Sequence, residues 1–375
     1  MTNILQPVVP HWTGQEGDRL ACLVEAFARH RRNEEEVFWL KENAELLGIL
    51  ECTGLPLSDD ILAPYADFYA GLEQRMGFFP QYYRFFLSLC LDLEDLGMPG
   101  SKGEALALWS ARQGLAGAEL SDLQRAEARR LMQRRGVDPF PGDPDLDQRL
   151  HAFIDRNETF ALPNRKAAYE LTHIVFYLGE YGRRDPGLSP AALVSLEYTG
   201  LVAYLGQDAD LMAEICIALR HAGATPPPLW EDWIAREARG FSLSHSEVRG
   251  ADDYHTFLVS NWAMAAAGRP AFALPPRRGA LGFHRYADPS APLRQISDRL
   301  LRLGKTRLNA DDREQAEVSE RRAKNPKKAK PKGHIESKQA LAFYERAAQA
   351  AGRGRWREAW RLLRNAIELE PNNDL

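Results

Sequence analysis

The chain has 375 residues, and its 48 lysines and arginines against 52 aspartates and glutamates give a formal net charge of −4. A hydrophobic fraction of 45% and a charged fraction of 27% predict a globular protein, and the slight acidity excludes a chain built as a whole to coat nucleic acid. No apolar run is long enough to span a membrane and no basic, apolar leader opens the chain, so we expect a cytoplasmic protein.

The first 136 residues show helical periodicity and are predicted to form an N-terminal helical block, 1–136. Its helices are expected over 18–32, 33–54, 61–77, 80–97, 101–115 and 120–136. Gly54 is a predicted helix stop, and Ser121 is a predicted N-cap. Three prolines in the acidic stretch 136–147 then interrupt the pattern, which predicts a boundary between two helical blocks.

The second helical block, 147–304, repeats the same periodicity. Its predicted helices cover 147–157, 166–181, 189–206, 208–223, 228–240, 252–268 and 293–304. The proline- and arginine-rich stretch 269–292 is predicted to be an extended strap. Because no stretch alternates polar and apolar residues with turn punctuation, strands should be few or absent. The predicted fold class is therefore all-α, a multi-helix array of about twelve helices.

The polar tract 305–336 is predicted to be a disordered basic linker. Its segment RRAKNPKKAKPKG (321–333) carries seven lysines and arginines, a block of like charge that is typical of a solvated tether. The same charge could contact nucleic acid or an acidic partner through counterion release. The segment has no aromatic residue to stack on bases, so we favour a solvated tether over a nucleic-acid site here. For the rest of the chain, the slight net acidity predicts no nucleic-acid binding.

The last stretch, KQALAFYERAAQAAGRGRWREAWRLLRNAIELEPNN, has small residues and a closing proline at regular positions. Over about 338–372 it resembles a single tetratricopeptide repeat, in which large apolar residues alternate with these small ones. The matching residues are Ala347, Trp356, Ala359, Leu363, Ala366 and Pro371. The resemblance implies a helical hairpin, here assigned to 337–375, that binds a protein or peptide. Since such repeats bury their faces against neighbours, a single copy must dock on another surface.

Candidate chemistry begins with the predicted helix 166–181, where a polar stripe includes Glu170, His173 and Tyr177. Such a stripe is usually the solvated face of an amphipathic helix. The apolar remainder is wide enough to bury the helix, so the stripe could instead line a cavity between helices. In that case His173 and Tyr177 are candidate catalytic residues.

Glu170 and His173 form a Glu-x-x-His pair, the spacing that helical di-metal carboxylate sites use. A looser pair, Asp252 and His255, recurs further along the chain, and the helix between them carries Glu214 near Asp210 and His221. No cofactor is expected if the chain is an interaction protein. Under the enzyme alternative the candidate metal ligands are Glu170, His173, Glu214, Asp252 and His255, whose oxygen and imidazole donors suit iron, manganese or zinc.

His255 is also a candidate in its own right, because it falls in the first turn of its helix on a face shared with Val259 and Trp262. We expect it to point inward more than His173 does, which makes it a third candidate catalytic residue. The alternative is that Asp252 or Asp253 caps the helix and that His255 is a satisfied core residue.

Other catalytic signatures are absent from the sequence. The cysteines are widely separated and form no Cys-x-x-Cys pair, so we expect reduced, buried thiols. No nucleophile elbow, phosphate-binding loop or His-Glu-x-x-His motif occurs.

Two functions follow from these patterns. The first is an intracellular interaction or scaffold protein that binds a partner through helical grooves and the terminal hairpin. The second is an all-α enzyme with a His/carboxylate site between helices, with or without a metal. The enzyme hypothesis requires the polar stripes of three helices to converge on one cavity, whereas the scaffold hypothesis lets each of them face water.

Overall fold

The computed structural model describes residues 16–55, 57, 60–245, 252–274, 279 and 281–285, and later 338–353 with 355, 358, 361, 362 and 365. These residues are mostly helical, which confirms the predicted all-α fold class. The predicted linker 305–336, its basic tract 321–333 and the predicted helix 293–304 lie outside the described residues.

Amphipathic segments before the proline-rich stretch 136–147 form seven described α-helices. They are α1 (Glu16–Arg29), α2 (Val37–Thr53), α3 (Ala66–Ala70), α4 (Leu72–Phe78), α5 (Tyr83–Asp95), α6 (Lys102–Arg112) and α7 (Asp122–Gln133). Gly54 ends α2 in the left-handed conformation, with φ of 61°. The Ser121 side chain accepts a hydrogen bond from the amide of Gln124 and caps α7. Both predicted helix signals are therefore confirmed.

The helices after the proline-rich stretch follow the predicted pattern as well. They are α8 (Leu146–Ile154), α9 (Asn157–Phe160), α10 (Arg165–Leu178), α11 (Pro190–Gly206), α12 (Ala209–His221), α13 (Pro228–Arg239) and α14 (Tyr254–Ala266). Every residue of α12 from Ala209 to Leu219 is buried. This helix packs against α10, α11, α13 and α14, so the polar side chains of this buried stretch are placed in the interior.

Residues 1–299 form one compact unit, and residues 300–375 form a second. In the first unit, helices from both sides of the proline-rich stretch share a single hydrophobic core. There α2 packs on α5 and α14, and α10 packs on α7 and α12. The chain thereby brings polar residues from distant segments of sequence to one place. Among the described residues, no helix combines the length and the apolar character that crossing a membrane would need.

In the second unit the structure describes α15 (Lys338–Gly352) and a few residues after it. Ala347 and Ala350 of this helix are buried in a small cluster with Leu362, and Phe343 packs against it. The other residues that carry the resemblance to a tetratricopeptide repeat lie outside the described side chains.

A two-stranded sheet is the one departure from helix in the described part of the chain. Strand β1 (Phe241–Ser244) pairs antiparallel with β2 (Gly282–Arg285), and β2 falls within the predicted strap 269–292. The carboxylates of Asp252 and Asp253 accept hydrogen bonds from the amides of Phe283 and Arg285, each at 3.0 Å. Asp253 occupies the N-cap position of α14, but its side chain makes no capping hydrogen bond; both aspartate side chains hold β2 instead.

A close helix contact at Gly200 of α11 gives a first prediction. A Cβ at this position would lie 2.5 Å from Cη2 of Trp230, so we expect Gly200→Ala to lower the free energy of unfolding by about 1–3 kcal/mol. A Cβ at Gly206, on the same helix, would have no neighbouring atom within 4 Å, so Gly206→Ala should be neutral or slightly stabilising. Urea unfolding of both variants measures the difference, and equal effects would contradict the tight contact.

Candidate functional site

A cavity of about 110 Å³ lies in the first unit between α2, α5, α7, α10, α12 and α14. We call it the central cavity. Its wall is mixed, with apolar residues such as Val259 beside acids, bases and aromatic rings. The chemically active side chains on it include Glu45, Arg130, His173, Glu214 and His255. Side chains from three of the predicted helices therefore reach one cavity, as the enzyme hypothesis requires.

Two acids at the cavity are carried by α12, with Glu214 on the cavity wall and Asp210 next to it. Asp208 caps this helix by accepting a hydrogen bond from the amide of Leu211, which places Asp210 in the first turn and Glu214 one turn later on the same face. With His255 of α14 they form a compact group in which one ligand atom from each residue lies within 4.8 Å of the others. Two carboxylates and an imidazole at this spacing can hold a metal ion.

Asp210 is the least satisfied member of this group. One of its oxygens, Oδ2, accepts a hydrogen bond of 2.5 Å from the hydroxyl of Tyr169. The other, Oδ1, is buried without a hydrogen-bond partner and lies 3.4 Å from Nε2 of His255. The residue is only 9% exposed, so water does not compensate for the missing bond.

Each of the two ring nitrogens of His255 faces at least one carboxylate. Nδ1 lies 3.1 Å from a carboxylate oxygen of Glu45 on α2, while Nε2 faces Asp210 and lies 3.8 Å from Glu214. A carboxylate behind one ring nitrogen fixes the orientation of the ring and presents the other nitrogen to the site, as outer carboxylates do around metal-binding histidines.

His173 stands on the other side of Glu214. Its Nδ1 lies 2.7 Å from the carbonyl oxygen of Tyr169 and 3.8 Å from Glu214. Because a carbonyl can only accept a hydrogen bond, Nδ1 carries a proton, and Nε2 is the ring nitrogen that can take up or release one. Glu214 also accepts a hydrogen bond from the Thr172 hydroxyl, which fixes its carboxylate between the two histidines.

The charges of the group are strongly coupled. Burial raises the pKa of Asp210, whereas the two histidines and Thr172 outweigh the burial of Glu214 and hold its pKa below the usual value. Burial alone would lower the pKa of His255, but the carboxylates around it raise this pKa to about 11. In the absence of a bound cation, the proton on His255 therefore supplies the positive charge that the acids need.

The two histidines that the sequence singled out are equally accessible, with side chains 35% exposed for His173 and 34% for His255. The expectation that His255 points further inward is therefore wrong. The polar stripe of α10 also runs from solvent into the core, since the Lys166 side chain is 89% exposed while Tyr177 is buried. The helix enters the core at its carboxyl end, which periodicity alone does not reveal.

Three of the five predicted metal ligands do not join the group. His173 lines the cavity beside Glu214 but is not one of the three clustered ligands. Glu170 pairs with Lys166 one turn earlier on the surface of α10, at 3.8 Å. Asp252 is taken by Arg31, whose two terminal nitrogens donate to its two oxygens at 2.9 and 3.0 Å. The structure thus brings His173, Glu214 and His255 together and places the acid of each predicted pair elsewhere.

The predicted catalytic residue Tyr177 packs its ring edge-on against His173, with centroids 6.0 Å apart. It lies on the side of α10 that faces α7, beside Arg130 and Glu180 in a separate small depression. Burial raises the pKa of its hydroxyl well above the usual value, which keeps the phenol neutral. Tyr177 therefore supports His173 from behind.

His221, at the end of α12, packs against Phe176 and Trp262 and is away from the acidic group. Burial lowers its pKa to about 4. An unfolded histidine binds its proton near pH 6.5, so the folded chain should lose about 2–3 kcal/mol of stability between pH 6.5 and 4.5 through this residue. We expect His221→Phe to remove that part of the acid sensitivity in urea unfolding at both pH values. An unchanged pH dependence in the variant would contradict a neutral, buried His221.

A family described as a domain of unknown function, DUF6902, matches residues 1–350. The chain belongs to this family. No curated protein and no solved structure matches it. The DUF6902 match includes every residue of the central cavity.

Glu45 and Arg130 were not predicted as members of the site, and Asp210 was placed beside it without being assigned as a ligand. Asp210 could have been found, because it lies four residues before Glu214 on the same helix face. Glu45 and Arg130 lie on α2 and α7, and no local pattern connects them to the acids and the histidine of the distant helices α12 and α14. Their role depends on how the helices pack.

Proposed function

We propose that this protein is an enzyme that acts in the central cavity, with a divalent metal bound by Asp210, Glu214 and His255. The observation that carries the proposal is the convergence of these three ligands, in which the buried Oδ1 of Asp210 accepts no hydrogen bond from the described residues and faces only His255, at 3.4 Å. A buried carboxylate oxygen without a donor is costly, and a metal ion would satisfy it.

The donor set favours iron, manganese or zinc. Two carboxylate oxygens and one imidazole nitrogen are a mixed oxygen and nitrogen set, which these metals accept and which is poorer for calcium or magnesium. Three protein ligands leave coordination positions for water or substrate, as in catalytic sites. Glu45 behind His255 supplies the outer carboxylate that such a ligand requires.

His173 is the proposed acid–base residue. It faces the cavity beside Glu214, and its bond to the Tyr169 carbonyl leaves Nε2 as the proton acceptor. A metal bound by Asp210, Glu214 and His255 would supply a Lewis acid for activating water or polarising a substrate oxygen. In this proposal the wall of the central cavity holds the substrate, and His173 accepts a proton from it or returns one to it.

The proposal is tested by titrating the chelator-treated full chain with Mn²⁺ and measuring free Mn²⁺ by electron paramagnetic resonance. We expect about one bound ion per chain and loss of this binding in Asp210→Asn, which keeps the shape of the side chain. The matched control is Asp232→Asn, because Asp232 is 56% exposed and pairs with Arg269 outside the cavity. Equal binding by wild type and Asp210→Asn, or none by wild type, would refute the metal site.

A second candidate is the interaction function of the C-terminal hairpin. What supports it is the packing of Leu362 against Ala347 and Ala350 of α15, as expected for two helices of a hairpin. Hydrogen exchange of the full chain tests this structure. Slow exchange in both 338–352 and 356–370, lost together in Ala350→Asp, would support a hairpin able to bind a partner, whereas fast exchange throughout 356–370 would remove its basis.

A further inference from the structure

Arg130 of α7 is a buried cation that forms no ion pair with any residue the structure describes. The residue is 8% exposed, and its Nε and Nη1 atoms are buried with no hydrogen-bond partner. It lies on the wall of the central cavity. Its guanidinium rests on the ring of Tyr181, with 4.3 Å between the central carbon and the ring centroid. This contact offsets part of the burial but uses none of the N–H donors.

Two acids on the same cavity wall, Asp92 and Glu51, are already engaged by other arginines. Asp92 accepts a hydrogen bond of 2.7 Å from Arg134, and Glu51 pairs with Arg183. A guanidinium stays charged in a protein at any ordinary pH, so Arg130 cannot relieve its burial by losing a proton. An anion that enters the cavity from outside would satisfy it.

We propose that the substrate of the central cavity is a small organic acid whose carboxylate is bound by Arg130. Guanidinium and carboxylate match in shape and form paired, charge-assisted hydrogen bonds. The remainder of the acid faces Val259 and Trp262, which supply an apolar wall, and extends toward His173 and Glu214. A volume of about 110 Å³ restricts this ligand to a compact acid, since pockets for larger ligands begin near roughly 300 Å³.

This inference rests on the proposed function in one respect, that the bound acid is a substrate. Binding of the carboxylate by Arg130 itself needs no metal. The two proposals therefore fail separately. If wild type binds the carboxylate but not Mn²⁺, only the metal site is refuted. If wild type binds Mn²⁺ but not the carboxylate, only the role of Arg130 is refuted.

The test uses the chelator-treated full chain and glycolate as the probe, with glycolamide as its uncharged match and inorganic phosphate as a second anion. Dissociation constants come from saturation-transfer NMR. We expect glycolate to bind wild type, to bind Arg130→Met about tenfold or more weakly, and to regain affinity in Arg130→Lys. Glycolamide should not bind. The matched control is Arg129→Met, which removes the neighbouring arginine paired with Asp147.

Three results would overturn the proposal. Equal glycolate affinity in wild type and Arg130→Met would show that the guanidinium does not bind the acid. Tighter binding of phosphate than of glycolate would assign the cavity to a different anion. A lower melting temperature of ligand-free Arg130→Met would show a structural role, because removing an unpaired buried charge should leave the free protein equally or more stable.

Discussion

Replacing Arg31 by methionine is expected to lower the free energy of unfolding by about 3–5 kcal/mol. The Arg31 side chain is fully buried, donates to both oxygens of Asp252 and to Glu42, and lies among three aromatic rings. It also donates to the carbonyl oxygen of Leu281. Without the guanidinium, Asp252 would be a buried carboxylate without its cation, and the contact of the segment after α1 with Leu281, which precedes β2, would be lost. Urea unfolding measures the loss.

Two further variants separate burial from pairing. Arg149 also makes a two-pronged contact with an aspartate, Asp122, but on the surface, so Arg149→Met should change stability little. In the double variant Arg31→Met, Asp252→Asn, the unpaired charge is gone, so we expect less destabilisation than the sum of the single changes. Additive losses would contradict the role of Asp252 as the structural partner of Arg31.

The second large effect is expected at Glu45, which lies behind His255 without being a proposed ligand. Glu45→Gln should weaken Mn²⁺ binding by about 10–100-fold while keeping one bound ion at saturation, because the amide holds and polarises the ring less well. The matched control is Glu51→Gln, since Glu51 lines the same cavity but pairs with Arg183. Its affinity should stay close to wild type.

The same Mn²⁺ titration decides between two roles for Glu45. Complete loss of the ion in Glu45→Gln would make Glu45 a direct ligand and would require a different arrangement of the site. Equal weakening in the Glu45 and Glu51 variants would show that the cavity attracts the ion through its overall charge alone.

The fold class could be predicted from the sequence because the signals that define it are local. Apolar spacing, the left-handed Gly54 and the capping Ser121 each act within a turn or two of helix, and all three appear in the structure. The sequence did not predict the small sheet, because its strands are only four residues long and α14 lies between them in the sequence. Strands of that length do not show a period of two.

Only part of the site could be predicted, because local spacing shows which residues share a helix face but not what that face contacts. Helical spacing placed His173, Glu214 and His255 on polar faces, and their convergence followed once the faces met. The same spacing also made Glu170 and Asp252 candidate ligands. In the structure Glu170 pairs with Lys166, and Asp252 pairs with Arg31. Which acid faces a histidine and which faces an arginine depends on helix packing, and the sequence alone contains no short-range sign of it.

The central claim is that Asp210, Glu214 and His255 bind a metal, and elemental analysis tests it most directly. Full-length protein purified without a metal-binding tag would be measured beside Asp210→Asn and His255→Gln, with folding of each checked by circular dichroism. We expect about one equivalent of iron, manganese or zinc in the wild type and almost none in either variant. Metal-free wild type, or the same metal content in all three folded proteins, would contradict the claim.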